Sequence, residues 1–185
     1  MRKLTGISKL AVTILSIALV LFQMITAGFG VLPDMQQRAI HLFFVLTLVF
    51  LLKPALKSLD KTRVPWYDLL LSLLGMATSI YILVIYDKII WDPLQWISGI
   101  DKFFAIILVL LILEASRRTV GWVFPIMAAV FFIYTLFGEI FPGTWAHRNM
   151  KLDPVLQNLY HTTNGVWGTM VGLSATMLAM FGIFG

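Results

Sequence analysis

Charge is nearly absent from six long apolar stretches of this 185-residue chain, and its Lys and Arg collect between them. The stretches run over 10–32, 39–52, 66–86, 97–114, 120–141 and 165–185. A hydrocarbon core of about 30 Å takes roughly 20 apolar residues to cross as a helix. Three stretches approach or exceed that length, and the others reach it with their polar flanks. The pattern predicts an all-α integral membrane protein with about six transmembrane helices. Charged residues make up only 12% of the chain, about half the share usual in a soluble domain. The longest polar connection, 142–164, leaves no room for such a domain. The net charge of +5 is distributed by loop and so does not imply nucleic acid. The absence of cysteine excludes disulfides and thiolate metal sites. The start, Arg2-Lys3 through Lys9 and then an apolar run, is too long for a signal core. It also lacks a small-x-small site before polar sequence, and reads as a retained first helix.

Cytoplasmic loops carry an excess of Lys and Arg. Arg2, Lys3 and Lys9 at the start, and Lys53, Lys57, Lys61 and Arg63 in the second connection, place both segments in the cytoplasm. The intervening 33–38 has only Arg38. The loop 87–102 then lies outside. The Lys/Arg tally is the same whether the fourth stretch crosses or re-enters; its length and the Arg117-Arg118 pair at its end favour crossing.

Several side chains invite a functional reading beside a structural one. Thr13, Ser16, Val20, Gln23, Ala27 and Gly30 share a face of the first helix, a packing face or a path with Gln23 as its polar group. His41 shares a face with Gln37, as an interfacial histidine or as a haem ligand or proton relay. No second haem ligand stands at a suitable spacing. Asp68, Ser72, Gly75, Ser79 and Tyr86 form another packing stripe behind the anchor Pro65-Trp66-Tyr67. Trp91-Asp92-Pro93-Leu94-Gln95-Trp96 reads as an interfacial segment. Glu114 is expected to pair with Arg117 or Arg118. Residues 154–161 form a short amphipathic turn. In the last stretch Gly165, Gly168, Gly172, Ala175, Ala179 and Gly182 recur at spacings of three and four. This predicts one smooth helix face, buried against a partner helix.

Three segments carry a family resemblance. They are Gln37-Arg38-Ala39-Ile40-His41-Leu42, then Leu113-Glu114-Ala115-Ser116-Arg117-Arg118-Thr119-Val120-Gly121-Trp122 with Pro125, and Gly165-Val166-Trp167-Gly168 with Gly172-Leu173-Ser174-Ala175-Thr176. Together they resemble the fused permeases of tripartite ATP-independent periplasmic (TRAP) transporters, of the type paired with TAXI-class binding proteins. The resemblance covers nearly all of the chain, in order. It implies a four-helix small domain over 1–118, a linking helix and outer loop over 119–164, and the start of a large transport domain over 165–185. It further implies uptake of organic acids across a bacterial inner membrane, with a periplasmic substrate-binding protein as partner. The driving ion, sodium or proton, and the substrate would bind in the large domain. The chain lacks nearly all of that domain, so a scaffold rather than an autonomous transporter is expected, with no cofactor of its own. The alternatives are a membrane-bound haem or redox subunit, which a Soret band would reveal, and a stand-alone assembly protein. Catalysis is not expected, since no paired acids, metal-spaced histidines or Ser–Lys arrangement lie within a helix.

Overall fold

Apolar runs bounded by Pro and Gly become helices in the computed structural model, which describes residues 2–56, 63–92 and 97–184. The described residues are helical or irregular, with no strand. Helix α1 spans Gly6–Phe29 and stops at Gly30, whose φ of 113° suits only glycine. Helix α2 spans Asp34–Leu52, α3 Trp66–Trp91 and α4 Gly99–Thr119. Ser98 and Asp101 cap α4 reciprocally, the Ser98 side chain accepting from the Asp101 N–H while Asp101 accepts from the Ser98 N–H. Gly121, at positive φ, ends α4 with its N–H on the Ser116 carbonyl. Helices α1, α2 and α3 are long and apolar enough to cross a membrane. Helix α4 has 21 residues, but charges crowd both of its ends.

The core lies between α2, α3 and α4, with Leu46, Phe50, Ile82, Ala105 and Leu108 almost fully enclosed. The α2–α3 pairing is the most extensive in the fold. It is close because Gly75 faces Leu46, where an added Cβ would stand 3.2 Å from the leucine Cβ. The expected α3 stripe therefore does pack, with Asp68, Ser72, Gly75 and Ser79 all buried. The α1 stripe packs only near its C-terminal end. Gln23 and Thr26 are the buried residues of that helix, while Val20 is exposed.

Helix α5, Val123–Leu136, is shorter than the 120–141 stretch. At about 1.5 Å per residue its 14 residues reach about 21 Å. The chain then turns back on itself, and loop groups satisfy the end of the helix. His147 Nε2 meets the Tyr134 carbonyl at 3.0 Å, and the Met150 N–H meets that of Thr135 at 3.4 Å. Helix α6, Leu152–His161, lies against α4 and matches the amphipathic turn read from the sequence.

The last stretch departs most from expectation. Residues 163–167 are turns, and helix begins only at Thr169. Helix α7, Thr169–Leu173, runs into one π-helical turn over Ser174–Leu178 and then α8, Ala179–Phe184. Gly165 and Gly168 precede the helix, and the π-turn inserts a residue into its period, so these glycines do not share one helical face with Gly172, Ala175 and Gly182. Lys57, Lys61, Pro93-Leu94-Gln95-Trp96 and Gly185 lie outside the described residues, as does the side chain of Ala179.

Candidate functional site: two buried polar junctions

Polar groups inside an apolar bundle need partners, and two junctions supply them here. The first forms where α1 and α2 meet the π-turn. Gln23 Nε2 lies 3.0 Å from His41 Nδ1, and Ser174 Oγ lies 3.1 Å from His41 Nε2. With the amide donating to Nδ1, the ring carries its proton on Nε2 and donates it to Ser174. Beside them the Gln37 amide donates to Thr26 Oγ1 at 3.1 Å, while the Thr26 hydroxyl donates to the Phe22 carbonyl. One turn away, Arg38 donates to the Trp167 carbonyl at 2.6 Å and pairs with Asp34. Trp167 is fully enclosed and donates from Nε1 to the Tyr160 carbonyl.

This geometry sets His41 inside the protein, where it is only 6% exposed. Both ring nitrogens are occupied, so a haem iron would have to displace Gln23 or Ser174. A Ser–His pair suggests nucleophilic chemistry, but here the imidazole donates to the hydroxyl instead of accepting from it. Behind it stands a neutral Gln23 where an orienting carboxylate would be needed. The arrangement serves to hold three elements together. Replacing His41 with alanine should strand Gln23 and Ser174 and cost about 1–3 kcal/mol. Unfolding titrations in detergent, run as a double-mutant cycle with Ser174→Ala, should give a coupling above about 0.5 kcal/mol. Additive effects would mean that the two side chains do not meet.

The small residues of the last stretch fit the same junction. At Gly172 an added Cβ would stand 2.8 Å from Arg38 Nε. At Gly165 it would stand 2.3 Å from the Leu159 Cα, and at Gly168 it would meet the Gly165 carbonyl at 2.7 Å. Ala175 is buried among these elements, whereas Gly182 has open space around it. Four of the six residues are thus used inside this chain.

The second junction sits at the end of the bundle that holds Arg2. The Arg2 guanidinium pairs with Asp68, which also accepts from Arg118 at 2.6 Å. Glu114 accepts from Arg117 and Arg118, each at 2.7 Å, as the spacing predicted. The same arginines satisfy the open end of α2. Arg2 donates to the Phe50, Leu51 and Leu52 carbonyls, Arg118 to Lys53, and Arg117 to Ala55. Positive charge at a helix C-terminus is also favoured by the helix dipole. Asp68 is wholly buried. Sequence reading placed it on a packing face and missed its role. An acid inside an apolar stretch with no cation three or four residues away was the available signal.

At the opposite end, Tyr81 donates to Asp101 Oδ1 at 2.5 Å, and Lys102 pairs with Asp153 at 2.6 Å. His161 Nε2 lies 3.6 Å from the Asp101 carboxylate. Burial holds His161 below the usual histidine range; Asp101 works against that shift and Lys88 adds to it. Tyr160 donates to the Thr78 carbonyl at 2.8 Å, tying α6 to α3. Among the described residues no group of three or more His, Asp or Glu is placed to hold a metal ion. Comparison with known proteins finds no matching family model, no matching curated protein and no matching solved structure.

Proposed function

We propose that this chain is the scaffold portion of a TRAP-type secondary transporter, bracing a large transport domain that takes up organic acids on an ion gradient. The observation that carries the reading is a convergence. Segments that carry the resemblance meet in space, Arg38 and His41 of one touching Trp167 and Ser174 of another. The third, with Glu114, Arg117 and Arg118, forms the charged junction. These residues bind helices together and leave the chemistry of substrate and coupling ion to another domain. The four-helix unit over 1–118, the link over 119–164 and the first transport-domain helix over 165–185 follow from this reading. Helix α5 buries only Pro125, which supports a lipid- or partner-facing place for it. A periplasmic binding protein would dock on the outer loops, and the chain would reside in a bacterial inner membrane.

Two measurements test the proposal. The N-terminus and the 53–65 and 115–119 loops are assigned to the cytoplasm, with 87–100 and 142–164 outside. Single cysteines placed in this cysteine-free chain should label from outside at position 150 and not at 58. Protection of position 150 in intact cells would remove the six-span topology. Liposomes holding the chain alone, given an ion gradient and organic acids, should take up no more than empty vesicles. Robust uptake would overturn the scaffold role.

A further inference from the structure

The N-terminal segment, α1 and the end of α2 border an open groove of about 270 Å³ that is rich in positive charge. Arg2, Lys3 and Lys9 line it together with Thr13, and among the described residues no carboxylate does. Arg2 is committed to Asp68 and to the α2 carbonyls. Among the described residues Arg2, Arg117 and Arg118 share Asp68 and Glu114, three positive groups to two carboxylates. Lys3 and Lys9 are exposed and have no acidic partner among the described residues. Two ammonium groups beside a positive cluster repel one another, and an anion between them relieves that repulsion. The rest of the lining is apolar, with Leu4, Val12 and Leu52. Ile7, Leu10 and Ile14 are exposed on another side of α1 and take no part in this lining.

We infer that this groove binds the phosphate of an anionic phospholipid, with Lys3 and Lys9 on the headgroup and the start of an acyl chain over Leu4, Val12 and Leu52. A soluble phosphate would use the lysines but leave the apolar wall unfilled. Basic pockets at the ends of membrane helices recognise lipid headgroups by this combination of charge and apolar contact. The inference rests on the membrane reading above, and specifically on an N-terminus at the anionic cytoplasmic leaflet.

The test uses the purified chain in neutral detergent, with native mass spectrometry counting bound lipid. Phosphatidylglycerol should bind about thirtyfold more tightly than phosphatidylcholine, the effect of two basic residues at an anionic surface. The double variant Lys3→Gln/Lys9→Gln should lose that preference, and Lys3→Arg/Lys9→Arg should keep it. All three proteins should show equal helicity by circular dichroism, because neither lysine holds the fold together. Millimolar glycerol phosphate should not displace the lipid. Equal binding of the two lipids, a preference that survives the Gln variants, or full displacement by glycerol phosphate would each overturn the inference. Binding in detergent does not depend on which way the chain crosses or on a transport partner. Its failure is therefore separable from failure of the labelling and uptake experiments.

Discussion

Asp68→Ala is expected to destabilise the chain by about 3–5 kcal/mol, the range for removing one partner from a buried charge cluster. The carboxylate is fully enclosed and faces both Arg2 and Arg118. Its loss leaves two guanidinium groups inside the bundle without a counter-charge on that side. The α2 carbonyls would still accept from them, but a neutral dipole offsets less of the desolvation than an ionised partner does. Asp34→Ala is the control. That acid is 69% exposed in an i,i+4 pair with Arg38, and its removal should cost under about 1 kcal/mol. Unfolding midpoints in a graded detergent titration should separate the two variants clearly. Similar midpoints would mean that Asp68 is hydrated and that the charged junction is open. Joint replacement of Arg2, Asp68 and Arg118 by apolar residues of similar volume should recover much of the loss, since well-packed apolar groups often replace buried ion clusters at little cost.

The second large effect concerns the turn before α7. Gly165→Ala should cost about 1–3 kcal/mol, as overpacking usually does. The new Cβ would be driven into the Leu159 backbone, 2.3 Å from its Cα and 2.4 Å from its carbonyl oxygen, and neither atom can move without the end of α6. Gly172→Ala should cost less. The nearest atoms there belong to the flexible end of Arg38, which can shift if it gives up the Trp167 carbonyl. Gly182→Ala meets nothing within 4 Å and should be neutral or stabilising by up to about 1 kcal/mol, the helix preference for alanine over glycine. The order Gly165, Gly172, Gly182 is the result to check by thermal unfolding. Equal, mild effects at all three would mean that the stripe faces lipid after all.

Helices α1, α2 and α3 were legible in the sequence because each is an almost uninterrupted apolar run long enough to cross a membrane. Glu114 with Arg117 and Arg118 was legible because its partners lie one turn away. The packing side of α3 could be read for a similar reason, since Ser72, Gly75 and Ser79 repeat at the helical period. The Asp68 and His41 contacts were not legible. Their partners lie 66 residues away at Arg2 and 133 away at Ser174, and no local period encodes such a meeting. The last stretch misled for another reason. Spacings of three and four describe a face only if the helix is continuous, whereas residues 163–167 turn and Ser174–Leu178 form a π-turn. An insertion of that kind leaves the spacing of the letters unchanged and alters the angle between side chains.

On the membrane placement proposed above, the pairing of Arg2 with Asp68 also bears on the order of events during biosynthesis. An acid entering a bilayer on a nascent helix costs about 2.5–3.5 kcal/mol near the centre and less toward the edges. The Arg118 partner is made fifty residues after Asp68, too late to help α3 insert. Arg2 is made before α1 and is already waiting at the same end of the bundle. The early arginine can therefore meet the acid as the third helix arrives, and the later one completes the junction once the fourth is in place. Membrane integration can then proceed helix by helix without stranding a bare carboxylate.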